Sequence, residues 1–413
     1  MAKVLYLSYD GITDPLGQSQ ILPYLTGLTD YGHEFHLIGF EKKEAMYSQA
    51  NAVKDTIREK PITWIPLTYH KSPPVLSTLY DVWKMRQTAT QIVKENNITI
   101  VHCRSYIPML VGEFLKKKFN VKLIFDMRGF WADERVDGNL WSLTNPVYNK
   151  IYSFFKKKEM SFVQQADRIV SLTHAGKHEM VSGRLFSDKK LKINSDKITV
   201  IPCATDLELF NPEKVSKQMV ASLRSKLKLT SDDKILLYLG SLGTWYLVKE
   251  MLQFFRKWRK DHPTYKFLFV TKDSIQLVYQ YCKELNIATD AILHTQANRH
   301  EVPTYLKLAD VGIFFIKPAY SKKASSAVKM GEMMAMGLPF VTNKGVGDQD
   351  ILIEKHGGGI SIDISNTNKI TFENYGRETT GIHERSIQHL DTTISITNYA
   401  TLYSGSDKND LSS

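Results

Sequence analysis

The stretch from Lys317 to Asp348, KPAYSKKASSAVKMGEMMAMGLPFVTNKGVGD, carries the densest set of residues able to do chemistry. It follows an apolar run at 311–316 that suits a buried strand. A lysine-rich loop leads to a Ser-Ser pair, and a helix carrying Glu332 then runs to Gly337. A further strand starts at Pro339. Backbone N–H groups at the start of such a helix lack intrahelical partners and suit a phosphate. Glu332 sits two turns along, where a carboxylate could hold a pair of sugar hydroxyls. An ordinary βαβ unit with a solvated lysine loop would show the same pattern.

Three more groups lie at predicted strand ends. Asp14-Pro15-Leu16-Gly17-Gln18-Ser19 follows the first strand, and Gly17 would let backbone amides approach an anion. A plain turn is the other reading. Gly240-Ser241-Leu242-Gly243-Thr244 takes the equivalent place in the second half and suits a second anion contact. Neither is a G-x-G-x-x-G fingerprint, which argues against a dehydrogenase. The third group runs Asp126-Met127-Arg128-Gly129-Phe130-Trp131-Ala132-Asp133-Glu134-Arg135. Its charges and aromatics suit an acceptor or transition-state surface, where Arg128 could clamp a phosphate bidentately. A structural salt-bridge cluster competes with that reading. His102 lies on the preceding strand; a strand histidine is commonly a satisfied core residue, with ligand contact as the alternative.

The elements that must position these groups follow from length and pattern. A chain of 413 residues exceeds one compact core, so two domains are expected. Strands predicted at 4–10, 33–41, 98–105, 121–129 and 166–173 alternate with helices at 21–31, 78–96, 107–118 and 146–165. The segment 198–212 suits a linker. The pattern restarts with strands at 234–239, 265–271, 291–296 and 311–316, and a helix at 247–260. Apolar strands alternating with helices predict parallel sheets covered on both faces. Ligands in such sheets bind beyond the strands' carboxyl ends, and a cleft between two domains is the natural site. The expected domains are 1–200 and 201–375. Residues 376–413 form a C-terminal segment in which 394–404 suits a closing helix packing back on the first domain, with a disordered end.

Composition bounds the partners. With 43% hydrophobic and 23% charged residues the chain reads as a soluble globular protein. The opening MAKVLYLSYDG enters a strand without a cleavable apolar stretch, which predicts a cytoplasmic location. Cys103, Cys203 and Cys282 match no metal or redox spacing. The net charge of +11 asks for an anionic partner. No nucleic-acid motif is present, so nucleic acid is not expected. The stretch VYNKIYSFFKKKEMSFV at 147–163 interleaves aromatics with lysines and suits either a membrane-surface helix or a half-buried helix with a solvated lysine face.

Four of these motifs, in order, resemble the retaining family-4 glycosyltransferases of the GT-B type. DPLGQSQ resembles the family's first glycine loop. FDMRGFWADE resembles its strand-end motif, ITVIPCATDLELFNP its linker, and KKASSAVKMGEMMAMGLPFV its donor motif. The likeness covers roughly residues 3–363. It implies an α/β fold of two Rossmann-like domains whose parallel sheets face a cleft. It also implies transfer of a sugar, with retention, from a uridine- or guanosine-diphosphate donor to a glycan or lipid-linked acceptor. Carried over, Gly17 lies near the donor diphosphate and Glu332 on the ribose hydroxyls. Ser325, Ser326 and Ala327 present amides to the donor, and Lys329 is the cation best placed for the diphosphate. Arg128 takes a strand-end place near the reacting centre, with Asp126 beside it. His102, Trp131 and Glu134 fall on the acceptor side. No metal and no cofactor beyond the donor substrate is implied.

Three family residues are replaced. The first glutamate of the donor pair is Ala324, and the Arg and Lys after the second-domain glycine are Ser241 and Tyr246. The phosphate clamp then falls to Lys329, Lys322 or Lys323, with Ser241 as a polar donor contact. No carboxylate stands out as a nucleophile, so same-face attack without a covalent intermediate is favoured. The expectation is a glycosyltransferase of surface-polysaccharide biosynthesis, peripheral on an anionic membrane face. A nucleotide-sugar 2-epimerase and a catalytically inactive sugar-nucleotide-binding partner are the alternatives.

Overall fold

Val, Ile, Leu and Phe dominate the strand cores of this chain, and in the structure, a computed structural model, they are covered on both faces. The structure describes residues 1–186, 191–364 and 381–404. Two sheets form. The first has the order β3-β2-β1-β4-β5-β6-β7, from β1 (Lys3–Ser8), β2 (Glu34–Glu41), β3 (Ile62–Thr68), β4 (Ile100–Arg104), β5 (Lys122–Asp126), β6 (Arg168–Ser171) and β7 (Ile198–Val200). The second has the order β10-β9-β8-β11-β12-β13, from β8 (Lys234–Leu239), β9 (Tyr265–Val270), β10 (Ile292–Thr295), β11 (Val311–Phe314), β12 (Phe340–Asn343) and β13 (Gly359–Ile362). Every pairing between these strands is parallel, as alternation with helices requires.

The chain divides into two compact units. The first comprises Met1–Ala204, Lys323–Ser325 and Thr392–Ser413, and the second Thr205–Lys322 and Ser326–Asp391. The α/β two-domain reading holds, while several elements differ from their predicted form. Residues 15–20, expected as loop, form a short helix Pro15–Gln20 opened by proline at its first position. The helix Lys43–Ile57 and strand β3 went unpredicted. That helix buries only Val53 and Ile57, and β3 is an edge strand with a proline, so neither shows a full apolar face. Ile198–Val200, inside the expected linker, pairs with β6 and completes the first sheet.

The chain's last described helix, Thr392–Ser404, belongs to the first unit. Its Tyr399, Ala400, Leu402 and Tyr403 enter the core beside Tyr24, Leu25 and Leu28 of the helix Leu22–Thr29. Gly27 permits the close approach: a Cβ there would lie 2.3 Å from Cδ1 of Ile396. The hydroxyl of Tyr399 donates to Asp126 at 3.1 Å, and that of Tyr403 lies 2.7 Å from Nδ1 of His102. The expected disordered end, 405–413, and residues 376–380 lie outside the described residues.

Truncating a buried aromatic costs about 3–5 kcal/mol. Tyr399→Ala is therefore expected to shift the first unit's urea midpoint, followed by circular dichroism, to clearly lower denaturant. Thr393→Ala, on the exposed side of the same helix, should leave it within about 0.5 kcal/mol.

Candidate functional site

In the second unit the loop after β11 turns through Tyr320–Ala324 and enters the helix Val328–Ala335, which is buried along almost its whole length. The loop is pinned at its root, where Asn343 at the end of β12 accepts from Ile316 N–H at 2.7 Å and donates to its carbonyl at 2.8 Å. Lys329 and Glu332 lie three residues apart, on one helix face. Burying two charges on so short a helix demands that each be compensated, and the two are treated differently.

Glu332 is paired: its Oε1 accepts from Nη1 of Arg299 at 3.0 Å. Burial raises its pKa, Arg299 draws it back, and the net shift is upward. Arg299 in turn lies 5.2 Å over the ring of Phe210. Lys329 has no hydrogen-bond partner for its ammonium among the described residues. Its Nζ lies 3.6 Å from the ring centroid of Tyr246 and 4.7 Å from that of Tyr238. Aromatic faces attract a cation without neutralising it. Burial consequently lowers the lysine to about 7, with Glu332 pulling the other way. Gly240, at φ +132°, makes room for this side chain: a Cβ there would stand 2.9 Å from Nζ.

Lys329, Tyr246 and Gly240 thus converge just beyond the carboxyl end of β8. Ser241 follows Gly240; it is exposed, and its carbonyl accepts from the Tyr238 hydroxyl. Lys322 lays its ammonium 3.6 Å over Trp245. Ser326 and Ala327 precede the helix in this unit, whereas Lys323, Ala324 and Ser325 group with the first unit. There Lys323 pairs with Glu179 at 3.0 Å and its carbonyl accepts from Thr173 at 2.6 Å.

In the first unit a second charged group gathers at the carboxyl ends of β4 and β5. Asp126 is 1% exposed. Beyond the Tyr399 bond, it lies 3.6 Å from Nε2 of His102, 3.8 Å from Nη1 of Arg104 and 3.9 Å from Nη1 of Arg128. Burial alone would raise its pKa, but Arg128, His102 and Arg104 outweigh burial and hold it below the usual carboxylate range. Burial likewise lowers His102, against the pull of Asp126, and keeps the ring neutral. Arg128 occupies the left-handed region at φ +55°, followed by Gly129 at +130°. A bulky residue held there marks a strained turn at a strand end. Its Nη2 donates to Sγ of Cys203 at 3.3 Å.

Three expected site residues need correction. Gly17 lies within a helix, not a loop, and is buried; a Cβ there would meet the Gly11 carbonyl at 2.3 Å and Ile12 Cα at 2.5 Å. Protein packing already requires the glycine, and Glu41 takes up the neighbouring amides of Ile12 and Thr13, at 2.8 and 3.1 Å. His102 is 1% exposed and covered by Tyr399 and Tyr403, so it offers no acceptor surface. Trp131 packs among Tyr106, Trp141 and Phe155 at centroid distances of 5.8, 5.3 and 4.8 Å, with Arg135 over its ring, which leaves little of it for a sugar. Glu134 is half-buried in the same short helix, Trp131–Asp137. Sequence reasoning missed Arg299, Tyr238 and Glu41. Tyr246 was noted only as a lost lysine, although the YLGSLGTWY spacing places both tyrosines around the glycine turn.

The arrangement in the second unit can bind an anion at the end of β8 and hydrogen-bond hydroxyls at Glu332. Among the described residues no group of three or more His, Cys, Asp or Glu could hold a metal ion. The chain is similar to glycosyltransferases over most of its length. The model named Glycosyltransferase Family 4 matches residues 21–209, and that named Glycosyl transferases group 1 matches residues 220–371. The chain is 26% identical over 210 residues to a Bacillus subtilis (strain 168) protein named as the teichuronic acid biosynthesis glycosyltransferase TuaH, covering 49% of this chain. The match spans about half of that relative's length, 48%. A glycosyltransferase from Rickettsia africae superimposes with a TM-score of 0.72 at 16% identity, covering 99% of both chains. Anabaena HepE, solved with UDP and glucose, does so with 0.69 at 13% identity, covering 98% of this chain and 100% of that one.

The lysine gives a pH signature with a definite sign. Its pKa in the folded protein is lowered to about 7, so the ammonium is present below that pH and is lost above it. Affinity for inorganic pyrophosphate, measured by calorimetry, is expected to fall roughly tenfold per unit as pH rises above 7. Lys329→Arg, charged throughout, should flatten the profile. A wild-type affinity that is constant from pH 7 to 9 would remove the neutral lysine from the site.

Proposed function

We propose, from the premise that the chain is a family-4-like glycosyltransferase of the GT-B type, that it moves a sugar from a nucleoside-diphosphate donor to a glycan or lipid-linked acceptor in polysaccharide biosynthesis. One observation carries this reading. A single short helix presents an ammonium with no hydrogen-bond partner among the described residues at the glycine turn after β8 and, three residues on, a carboxylate fixed by Arg299. A nucleoside diphosphate supplies the complement, with phosphate for Lys329 and a ribose diol for Glu332.

The leaving diphosphate accumulates negative charge as the sugar departs. Lys329 and the amides at Ser326 and Ala327 stabilise it, with Lys322 and Ser241 on the same loops. These protein groups supply the positive charge, and the transfer proceeds without a divalent ion. Arg128, kept charged by Asp126, is assigned to charge that builds on oxygen during transfer. The acceptor hydroxyl attacks from the face the diphosphate leaves, giving retention without a covalent intermediate. The protein works peripherally on the inner face of an anionic membrane; no described helix is long and apolar enough to cross one.

Purified protein incubated with labelled UDP- and GDP-sugars and membrane extract should transfer label from one donor, with chelator causing no loss. Epimerised donor without acceptor would support an epimerase instead, and tight nucleotide binding without transfer a dead partner. Lys329→Met should lower turnover about 10²–10³-fold. Glu332→Ala should weaken donor binding by about tenfold, the scale of one hydrogen-bonding group of a charged residue. Unchanged donor affinity in that variant would remove the ribose assignment, and a product of inverted configuration by proton NMR would sink the retaining mechanism.

A further inference from the structure

The helix Leu76–Glu95 buries Ser77, Asp81, Met85, Ala89, Ile92 and Val93 along one face, as a surface helix should. Its opposite face should then be polar. In the first two turns it is not: Leu76, Leu79, Tyr80 and Trp83 are 64%, 59%, 49% and 49% exposed. Their spacing of i, i+3, i+4 and i+7 places them in one stripe that points to solvent. A second exposed apolar group, Leu140, Leu143, Val147 and Phe154, surrounds the start of the helix Pro146–Gln165. The helix Tyr106–Phe119 packs against both helices, so the three form one layer on the first sheet. Each returns the chain from the carboxyl end of one parallel strand to the amino end of the next. The two apolar groups therefore lie on the carboxyl-end rim of that sheet, where Asp126 and Arg128 also stand.

The exposed charge around both groups has one sign. Lys71, Lys84, Arg86, Lys150 and Lys157 are exposed. Between residues 70 and 94 the one acidic residue is Asp81, buried against His70 and Tyr9, and between 139 and 158 there is none. Beyond the stripe Trp83 borders a groove of about 820 Å³ whose charged lining is Arg86, Lys94, Lys118 and one carboxylate, Glu95, with the Arg86 guanidinium 3.6 Å over the Phe114 ring.

We infer that the starts of the helices Leu76–Glu95 and Pro146–Gln165 form a lipid-binding face that seats the first unit on an anionic bilayer. The leucines and aromatics enter the interface, and the lysines and arginine meet the headgroups. This rests on the reading that the protein works at a membrane, and is independent of the donor assignment. Charge decides against a second copy of the chain, because two such faces would bring like charges together. The placement also suits a lipid-linked acceptor, whose head group would emerge at the rim that carries Arg128.

Flotation with phosphatidylcholine vesicles, with and without phosphatidylglycerol, tests the face. The wild-type chain is expected to bind the anionic vesicles and to release with salt. The triple variant Leu76→Ser, Leu79→Ser, Trp83→Ser should lose about tenfold or more in partitioning, and Lys84→Glu a comparable amount on anionic vesicles alone. Tyr47→Ser, which removes a 98% exposed aromatic on a different helix, should change nothing. Circular dichroism spectra and urea midpoints should be unchanged in all of them, which reports on folding. Wild-type protein that ignores the anionic lipid, or a triple variant that still floats, overturns the proposal. So does a dimer that the triple variant dissociates, which would assign the stripe to a second copy. Loss of transfer from every donor with vesicle binding intact would count against the transferase reading and leave this face standing.

Discussion

A parallel strand buried on both faces has little room for charge along its length, and the placement of Arg104, Asp126 and Arg128 depends on that constraint. β4 and β5 are buried almost throughout, and their final residues are Arg104 and Asp126. β8 runs KILLYL before the chain reaches Gly240. Charge sits at the strand ends, with Lys3, Lys122 and Lys234 at amino ends and Arg104 and Asp126 at the carboxyl rims, where the backbone leaves the ladder and must turn. The turns are tight enough to hold Ser105 and Arg128 at positive φ.

The two units then handle buried charge in opposite ways. In the first, Asp126 is surrounded by two guanidiniums, a neutral imidazole and a tyrosine hydroxyl. A carboxylate compensated on so many sides is a structural anchor, and it holds Arg128 charged. In the second unit Lys329 meets two aromatic faces and no anion within hydrogen-bonding reach. The desolvation cost of an ammonium is large, and here it is left standing, expressed as a lysine near neutrality. A phosphate would supply the missing partner. The first arrangement favours rigidity and the second favours a ligand.

Legibility in the sequence followed this division. The helices at 107–118 and 247–260 were readable because each buries an apolar face along its length. The helix Lys43–Ile57 and edge strand β3 were not, because neither does. Glu332 was visible from its place on the helix after the lysine loop, and Lys329 from the family resemblance. Arg299 was not, since it reaches Glu332 across 33 residues of sequence. His102 bears out the common reading of a strand histidine as a core residue and not its listing on the acceptor side; the helix that covers it lies about 300 residues away, so the sequence alone could not choose.

The sequence alone determined the alternation of parallel strands and helices, the two-domain division, the glycine turn after β8 and the helix carrying Lys329 and Glu332. These are local properties, written in periodicity and in residue types that only certain backbones accept. Tertiary structure decided which charges are neutralised and which are not. It spent His102, Trp131 and Gly17 on packing, paired Glu332 with Arg299, and set Lys329 between two tyrosines. It also turned one stripe of a helix outward that its composition would place in a core. Such outcomes depend on which distant elements come to lie against a residue, and no local pattern encodes that.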